Sequence, residues 1–203
     1  MNSLSSINNK KIIVMTILSL ICILGYVLII VNFSDRGLLI FAFKIRGPKL
    51  AAMVITGFAI GAASIVFQSV INNTIVTPCF LGMNSLYTLI HTAVVFFLGS
   101  GSVIAANANL SFITDVILMG IAATFIYSWL FKKTKHNVLY VLLVSTVLTS
   151  FFGSIQSSLT RIMDPNEYDT LLTTLVANFN NINTEIIVLS VVLLIFLAFA
   201  LRK

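Results

Sequence analysis

The sequence predicts an all-α integral membrane protein with six transmembrane helices. Apolar residues make up 59% of the 203-residue chain and charged residues only 9%, whereas a soluble domain carries about 25% charged residues. The apolar residues are gathered into runs of roughly 20, the length that crosses a bilayer as a helix. These runs predict a single transmembrane region over residues 1–203, with helices at about residues 12–33, 50–71, 80–98, 112–131, 138–159 and 185–201.

The loops between these helices contain two further short segments. Residues 35–49 form the first loop, and Leu38–Phe43 within it is expected to be a short interfacial segment. Residues 161–183 form a longer polar segment, in which Leu171–Phe179 is expected to be a short helix. The first apolar run is too long for a secretory signal and no small-residue cleavage site follows it, so we expect it to remain as a transmembrane helix.

The charged residues lie at the ends of the apolar runs, a distribution that predicts orientation in a membrane and not a nucleic-acid surface. With a cytoplasmic N-terminus, six crossings return the C-terminus to the cytoplasm, and all six acidic residues lie outside or at the outer interface. The first outer loop nevertheless keeps a basic cluster that includes Arg46 and Lys49, which fits either an acidic partner or lipid phosphates. Seven of the twelve Lys and Arg residues lie inside: Lys10, Lys11, Lys132, Lys133, Lys135, Arg202 and Lys203.

The second predicted helix carries small and polar residues on one face. Gly57 and Gly61 form a G-x-x-x-G step, and Ser64 and Gln68 roughly continue that face at helical spacing. Small residues let two helix backbones approach closely in lipid, and a glutamine there can hydrogen-bond across the contact. These four residues are therefore predicted to pack against another helix.

The fifth predicted helix is unusually polar for a membrane-spanning segment. In one interpretation, Thr149, Ser150, Gly153 and Ser154 line a water-filled path for a bulky, polar solute. In the other, the same small residues pack against neighbouring helices. The spacing does not choose between them, because the polar and small residues wrap around the helix: Ser145, Thr146, Thr149, Ser150, Gly153, Ser154, Gln156, Ser157 and Ser158.

No motif for bond chemistry is visible. The sequence has no glycine-rich phosphate loop with Lys and Ser or Thr, so any ATP site belongs to another subunit. Neither His91 nor His136 has a second metal ligand four residues on, and His91 is the better candidate for a chemical role because it lies at membrane depth. Cys22 and Cys79 are isolated and form neither a metal motif nor a disulfide framework. We therefore predict no catalytic residue, metal site or cofactor.

Several sequence blocks resemble the permease subunits of ABC importers for iron–siderophore complexes and cobalamin. That family has an R-x-P-R-like motif, a small-residue helix ending in Gln, an N-P-L-A-x-P-like loop, and a next helix that begins with Leu-Gly. The string TPCFLGMNSLY, followed later by DPNE and FNNINT, most resembles the catecholate-type siderophore branch. The corresponding blocks here are Arg46-Gly47-Pro48-Lys49, Gly57–Gln68, Asn73–Pro78 and Leu81-Gly82-Met83-Asn84-Ser85.

The resemblance implies a permease subunit that moves a ferric siderophore across the bacterial cell membrane. In the family, basic residues at the positions of Arg46 and Lys49 face outward and pair with glutamates of a siderophore-binding protein, and the fifth helix lines the translocation path. Lysine at position 49 preserves the charge but not the two-pronged geometry of an arginine. The implied partners are an extracytoplasmic binding protein, a second permease subunit and a cytoplasmic ATPase dimer, which hydrolyses ATP in place of this chain.

The resemblance covers about the first six of the ten helices of this type II importer fold. In the family, a coupling loop that docks on the ATPase and four more helices follow the position of Lys203, so we expect a truncated or split product, or a fragment of a longer chain. One alternative is a six-helix subunit that captures a vitamin by itself and joins a shared energising module. Another is a non-transporting assembly or regulatory membrane protein, which would show no ligand coupling.

Overall fold

The computed structural model describes residues 2–28, 36–74, 76–134, 137–176, 179 and 182–201. Every regular element within them is a helix, so the prediction of an all-α chain is confirmed. In chain order these elements are α1 (Asn2–Leu28), α2 (Arg36–Ile71), a short 3₁₀ helix (Pro78–Leu81), α3 (Met83–Leu98), α4 (Val103–Ala106), α5 (Ala108–Lys133), α6 (Val138–Ile162), α7 (Pro165–Leu175) and α8 (Thr184–Leu201).

The helices expose apolar surface of the kind that lipid covers. Phe125 on α5 is 76% exposed and Leu139 on α6 is 77% exposed, whereas soluble monomers rarely expose large contiguous apolar patches. The chain is therefore a multi-pass integral membrane protein. Within the described residues, three segments are long and apolar enough to cross a bilayer, and two further apolar helices are shorter: Ile40–Ile71, Ala108–Lys133 and Val138–Ile162, then Met83–Leu98 and Thr184–Phe199.

Helix α2 begins at Arg36, so the predicted loop before residue 50 is wrong. Leu38–Phe43 forms part of this helix instead of a separate interfacial segment, and Pro48 lies inside it. Proline removes one backbone hydrogen bond and usually ends a helix in water. Helices in membranes tolerate it because neighbouring groups satisfy the freed backbone atoms, and the apolar residues on both sides of Pro48 favour one continuous helix.

The described residues form two compact units, one drawn from residues 1–56 and 179–182 and the other from residues 57–178 and 183–203. Helix α2 contributes to both. In the first unit, Arg46 Nη1 donates a hydrogen bond of 3.0 Å to the backbone carbonyl of Tyr26, which ties α2 to α1. The apolar side chains of α1 are otherwise largely exposed, as at Met15.

The second unit is built around α3, which packs against α5, α6 and α7. A smaller apolar cluster of Val95, Met163 and Leu171 fixes α7 near the C-terminal end of α3. The main core also contains a buried polar contact, because Tyr127 Oη donates to the backbone carbonyl of Leu81 over 2.7 Å. The main core consists of Leu81, Leu86, Tyr127, Leu130, Val141 and Phe152.

Polar side chains define where α5, α6 and α7 begin. Asn107, Asn137 and Asp164 each accept a hydrogen bond from the backbone N–H two residues further on, which satisfies a donor that the first turn of a helix leaves free. Pro165 then occupies the first turn of α7, where proline is favoured. The short helix expected over Leu171–Phe179 therefore starts earlier than predicted, and it ends at residue 175.

Candidate functional site

A polar groove of about 480 Å³ runs along the C-terminal half of α6. It contains Ser150, Gly153 and Ser154, three of the four residues predicted to line a solute path. Arg161 lies at one end of it and is exposed. That these residues line a translocation path stays a prediction, but the structure places them along one surface of α6. The groove is lined by Ser150, Gly153, Ser154, Gln156, Ser157, Ser158 and Arg161.

Three of the four serine hydroxyls of the groove donate within the helix. Ser150 Oγ donates to the Thr146 carbonyl over 3.2 Å, and Ser154 Oγ to the Ser150 carbonyl over 2.8 Å. Ser158 Oγ repeats the pattern with the Ser154 carbonyl at 2.9 Å. A hydroxyl has one proton to donate and two lone pairs that accept. These three hydroxyls therefore present oxygen lone pairs to the groove, without an unsatisfied donor.

Thr149, the fourth predicted path residue, lies against the 3₁₀ turn at the start of α3. Gly82 occupies this turn with a φ of +76°, and a Cβ atom there would overlap Thr149 Oγ1 and lie 3.3 Å from Thr149 Cα. Thr149 Oγ1 itself donates to the Ser145 carbonyl over 2.8 Å. The structure therefore brings Thr149 into a packing contact and not into the groove.

The predicted packing face of α2 is open in the structure. A Cβ atom built on Gly57 or Gly61 would meet nothing within 4 Å, and both glycines are exposed. Ser64 and Gln68 are half-buried. Contact of this face with another helix stays a prediction.

The two predicted docking residues are half-buried members of α2 in the first unit. Arg46 uses its guanidinium for the contact with the Tyr26 carbonyl described above, so a change at Arg46 also affects the packing of α1 on α2. Lys49 follows one turn later, and Lys44 in the same segment is exposed. Lys49 is therefore the cleaner position at which to test docking, and Lys44 is its matched control.

A polar cluster joins three helices of the second unit; His91 and Asp115 in it are buried, and Thr174 is exposed. His91 on α3 is 5% exposed, and its Nδ1 lies 2.7 Å from Oδ2 of Asp115 on α5, which is also 5% exposed. On the other side of the ring, Nε2 lies 2.9 Å from Oγ1 of Thr174 on α7. Tyr87 stacks on the imidazole, with ring centroids 6.0 Å apart. Asp115 Oδ1 has no hydrogen-bond partner among the described residues.

Sequence reasoning missed this cluster because its members are far apart in the chain. Asp115 and Thr174 lie 24 and 83 residues from His91, and the acidic residues were all expected outside or at the outer interface. A signal was present, however. His91 and Asp115 each interrupt an apolar run, and ionisable residues in membrane helices usually pair with one another.

Among the described residues, no three His, Cys, Asp or Glu side chains converge as a metal site would require. Cys22 and Cys79 are both free and exposed. A multi-pass helical chain with a hydroxyl-lined groove has features of a membrane transport protein.

The chain belongs to the FecCD transport family, which matches residues 12–202. It is 36% identical over 186 residues to the petrobactin import system permease protein YclO of Bacillus subtilis (strain 168), which covers 92% of this chain and 58% of that protein. It is 30% identical over 188 residues to the petrobactin import system permease protein FatC of Bacillus anthracis, covering 88% of this chain and 53% of that protein. The chain thus spans a little over half the length of these relatives. No solved structure gave a significant match.

Proposed function

We propose that this chain is a membrane-spanning part of the permease of an ABC importer that carries a ferric siderophore across the bacterial cytoplasmic membrane. The observation that carries the proposal is the hydroxyl-lined groove on α6, in a chain of the FecCD transport family. The names of the two relatives support a siderophore as the solute. Family membership favours this function over vitamin capture by an isolated six-helix subunit.

The chain performs no bond chemistry in this proposal. A cytoplasmic ATPase dimer supplies the energy, a second permease subunit completes the channel, and an extracytoplasmic binding protein delivers the iron chelate. We further propose six membrane crossings that correspond to the N-terminal part of a ten-helix permease, with both ends of the crossings on the cytoplasmic side. The three long and two shorter apolar helices in the described residues support the multi-pass arrangement.

The groove is proposed as one wall of the solute path. Its oxygen lone pairs can accept from water or from the hydroxyl and amide groups of a chelate, and Arg161 supplies a positive charge for an acidic one. Thr149 supports the wall from behind through its contact with Gly82. The open face at Gly57, Gly61, Ser64 and Gln68 is proposed to receive a helix from elsewhere in the assembled permease.

Measurement of siderophore uptake tests whether the groove lines the solute path. In a complete permease containing this sequence, Ser154→Leu should place a large apolar side chain in the path and reduce uptake of radiolabelled ferric siderophore. Ser69→Leu is the matched control, because Ser69 on α2 is also exposed and also donates to a carbonyl four residues earlier, 2.9 Å away. Equal uptake by the two variants, at equal membrane abundance, would remove the groove from the path.

Binding of the delivery protein tests the docking proposal separately. Lys49→Glu places a negative charge where a glutamate of the partner is expected, and a like-charge contact opposes association. The affinity of the permease in lipid nanodiscs for the binding protein should fall for Lys49→Glu and stay close to the parent value for Lys44→Glu. Unchanged affinity for both variants would refute docking at this segment.

A further inference from the structure

The hydrogen-bond distances of the polar cluster define one arrangement in which every short contact contains a proton. Thr174 Oγ1 lies 2.9 Å from the Leu171 carbonyl, which can only accept. When the single hydroxyl proton is used for that bond, Thr174 Oγ1 accepts from the other side. In this arrangement His91 Nε2, at 2.9 Å, carries a proton and donates it to Thr174.

A second proton lies at the other ring nitrogen of His91, in addition to the one on Nε2. His91 Nδ1 and Asp115 Oδ2 are 2.7 Å apart, so a proton lies between them, either on the imidazole or on the carboxyl. In both cases the imidazole and the carboxyl together hold two protons and have no net charge. A neutral pair suits a site in which both residues are 5% exposed and Asp115 Oδ1 has no partner among the described residues, because an unpaired buried charge is costly.

We propose that His91, Asp115 and Thr174 form a proton-binding site whose second proton holds α7 on α3 and α5. When this proton leaves, Nε2 becomes an acceptor and the Thr174 hydroxyl turns away from the Leu171 carbonyl to donate to the ring. The pair then has a net charge of −1, and the carbonyl loses its side-chain donor. With the proton, docked α7 has both the bond to the imidazole and the bond to the Leu171 carbonyl. Without the proton, the hydroxyl can form only one of the two. Because proton binding and docking are linked in this way, proton loss favours undocking of α7.

Helix α7 is suited to such control because few contacts hold it. The first contact is apolar: Leu171 is fully buried against Val95 and Met163, and Leu175 packs against the same cluster. Toward its N-terminal end, Glu167 Oε2 accepts from the backbone N–H of Ser100 over 3.2 Å. Thr174 provides the third contact, near the C-terminal end. Most other side chains of α7 are exposed, so loss of one of these three contacts changes a large share of its attachment.

Few other titratable or charged groups surround the pair. Besides Asp115 from α5, Tyr87 on α3 stacks on the imidazole. On α7, Glu167 is engaged at the C-terminal end of α3, and Tyr168 and Asp169 are exposed. Helix α6 carries Tyr140 and Arg161 near its two ends, both exposed. The lysines of α5 lie in its last turn, and α4 and the 3₁₀ helix have no Asp, Glu, His, Lys or Arg. Glu167 is therefore the group whose titration the experiment has to separate from that of the pair.

Histidine nitrogen NMR reads the proton positions directly. The sequence has only two histidines, so the His136→Gln chain, labelled with ¹⁵N-histidine and reconstituted in lipid, reports His91 alone. We expect a proton-bearing Nε2 at the acid end of a pH series and an Nδ1–H ring with a bare Nε2 at its alkaline end. Asp115→Asn mimics the protonated carboxyl, because its amide donates to Nδ1, and should keep Nε2 protonated throughout. A bare Nε2 over the whole range in the parent would overturn the proposal.

Thiol labelling in the same vesicles tests whether the proton controls α7. With Cys22 and Cys79 changed to serine, Val95→Cys places a thiol beneath α7, and Thr173→Cys on its exposed side corrects for the reactivity of thiols at each pH. The ratio of the Val95→Cys to the Thr173→Cys labelling rate should rise about fivefold from about pH 5 to about pH 8. A fivefold change in the docking equilibrium corresponds to the free energy of about one net hydrogen bond.

Two variants complete this test. Asp115→Asn should abolish the pH dependence, and Thr174→Val should raise the labelling ratio at every pH. A ratio in the parent that does not depend on pH would overturn the control of α7. The same dependence in Asp115→Asn as in the parent would assign the effect to Glu167 and overturn the proposal equally.

Discussion

Substitution of Gly82 by alanine should destabilise the second unit strongly, and the structure gives the size of the effect. Gly82 has a φ of +76°, a left-handed conformation that costs a residue with a Cβ atom about 1–2 kcal/mol. The added Cβ would also overlap Thr149 Oγ1 and lie 3.3 Å from Thr149 Cα, and overpacking of this kind costs about 1–3 kcal/mol. The free energy of unfolding should therefore fall by about 2–5 kcal/mol.

A second substitution separates the two contributions. Thr149→Ala removes the overlapping Oγ1 but leaves the backbone conformation at Gly82 unchanged. In a double-mutant cycle, Thr149→Ala should recover part of the loss caused by Gly82→Ala, with a coupling of about 1–2 kcal/mol for two residues in contact. The conformational cost should remain.

The assay is reversible unfolding in mixed micelles of detergent and sodium dodecyl sulfate, followed by circular dichroism. Gly120→Ala is the matched control, because Gly120 lies inside α5 and a Cβ atom there would meet nothing within 4 Å. In a helix interior, alanine is favoured over glycine by about 0.5–1 kcal/mol, so this control should be neutral or stabilising. The reasoning is refuted if Gly82→Ala is no worse than Gly120→Ala, or if Thr149→Ala restores nothing.

Three further effects on stability can be measured in the same way. Tyr127→Phe removes the donor to the Leu81 carbonyl and should cost about 1–2 kcal/mol, since it leaves a buried acceptor unpaired; no loss would contradict the bond. Leu171→Ala should cost about 2–5 kcal/mol and expose α7 to protease, whereas Leu172→Ala on the exposed side should do neither. Asp164→Ala removes the N-cap of α7 and should cost about 1 kcal/mol, and equal helix content and stability in this variant would show that the cap is dispensable.

Hydropathy predicted the helices well where one physical requirement dominates. A long apolar run in a bilayer has to satisfy its backbone internally, and a helix is the only way for a single segment to do so. Helix α6 illustrates this, because it covers Val138–Ile162 where the sequence predicted about residues 138–159. Hydroxyl and glycine residues did not interrupt it, since each hydroxyl can bond to a carbonyl of the preceding turn.

The sequence was less informative about helix boundaries where neighbouring residues favour different structures. Around Pro48, the charges and the proline favoured a loop, while the flanking apolar residues favoured a helix, and the helix prevails in α2. The direction of Thr149 could not be read from spacing either. It depends on Gly82, which lies far away in the sequence and approaches closely only because it has no side chain.

The hydroxyls of α6 suggest how a membrane helix can line a solute path without retaining the solute. A path works only if contacts are favourable enough to admit the solute and weak enough to release it. Ser150 and Ser154 donate to carbonyls within α6, so they offer a passing chelate acceptor lone pairs and no free donors. Such contacts are weak and serve many polar solutes equally. On the proposed function, these serines therefore favour passage over recognition, and the choice of solute falls to Arg161 and to the delivery of the chelate to the permease.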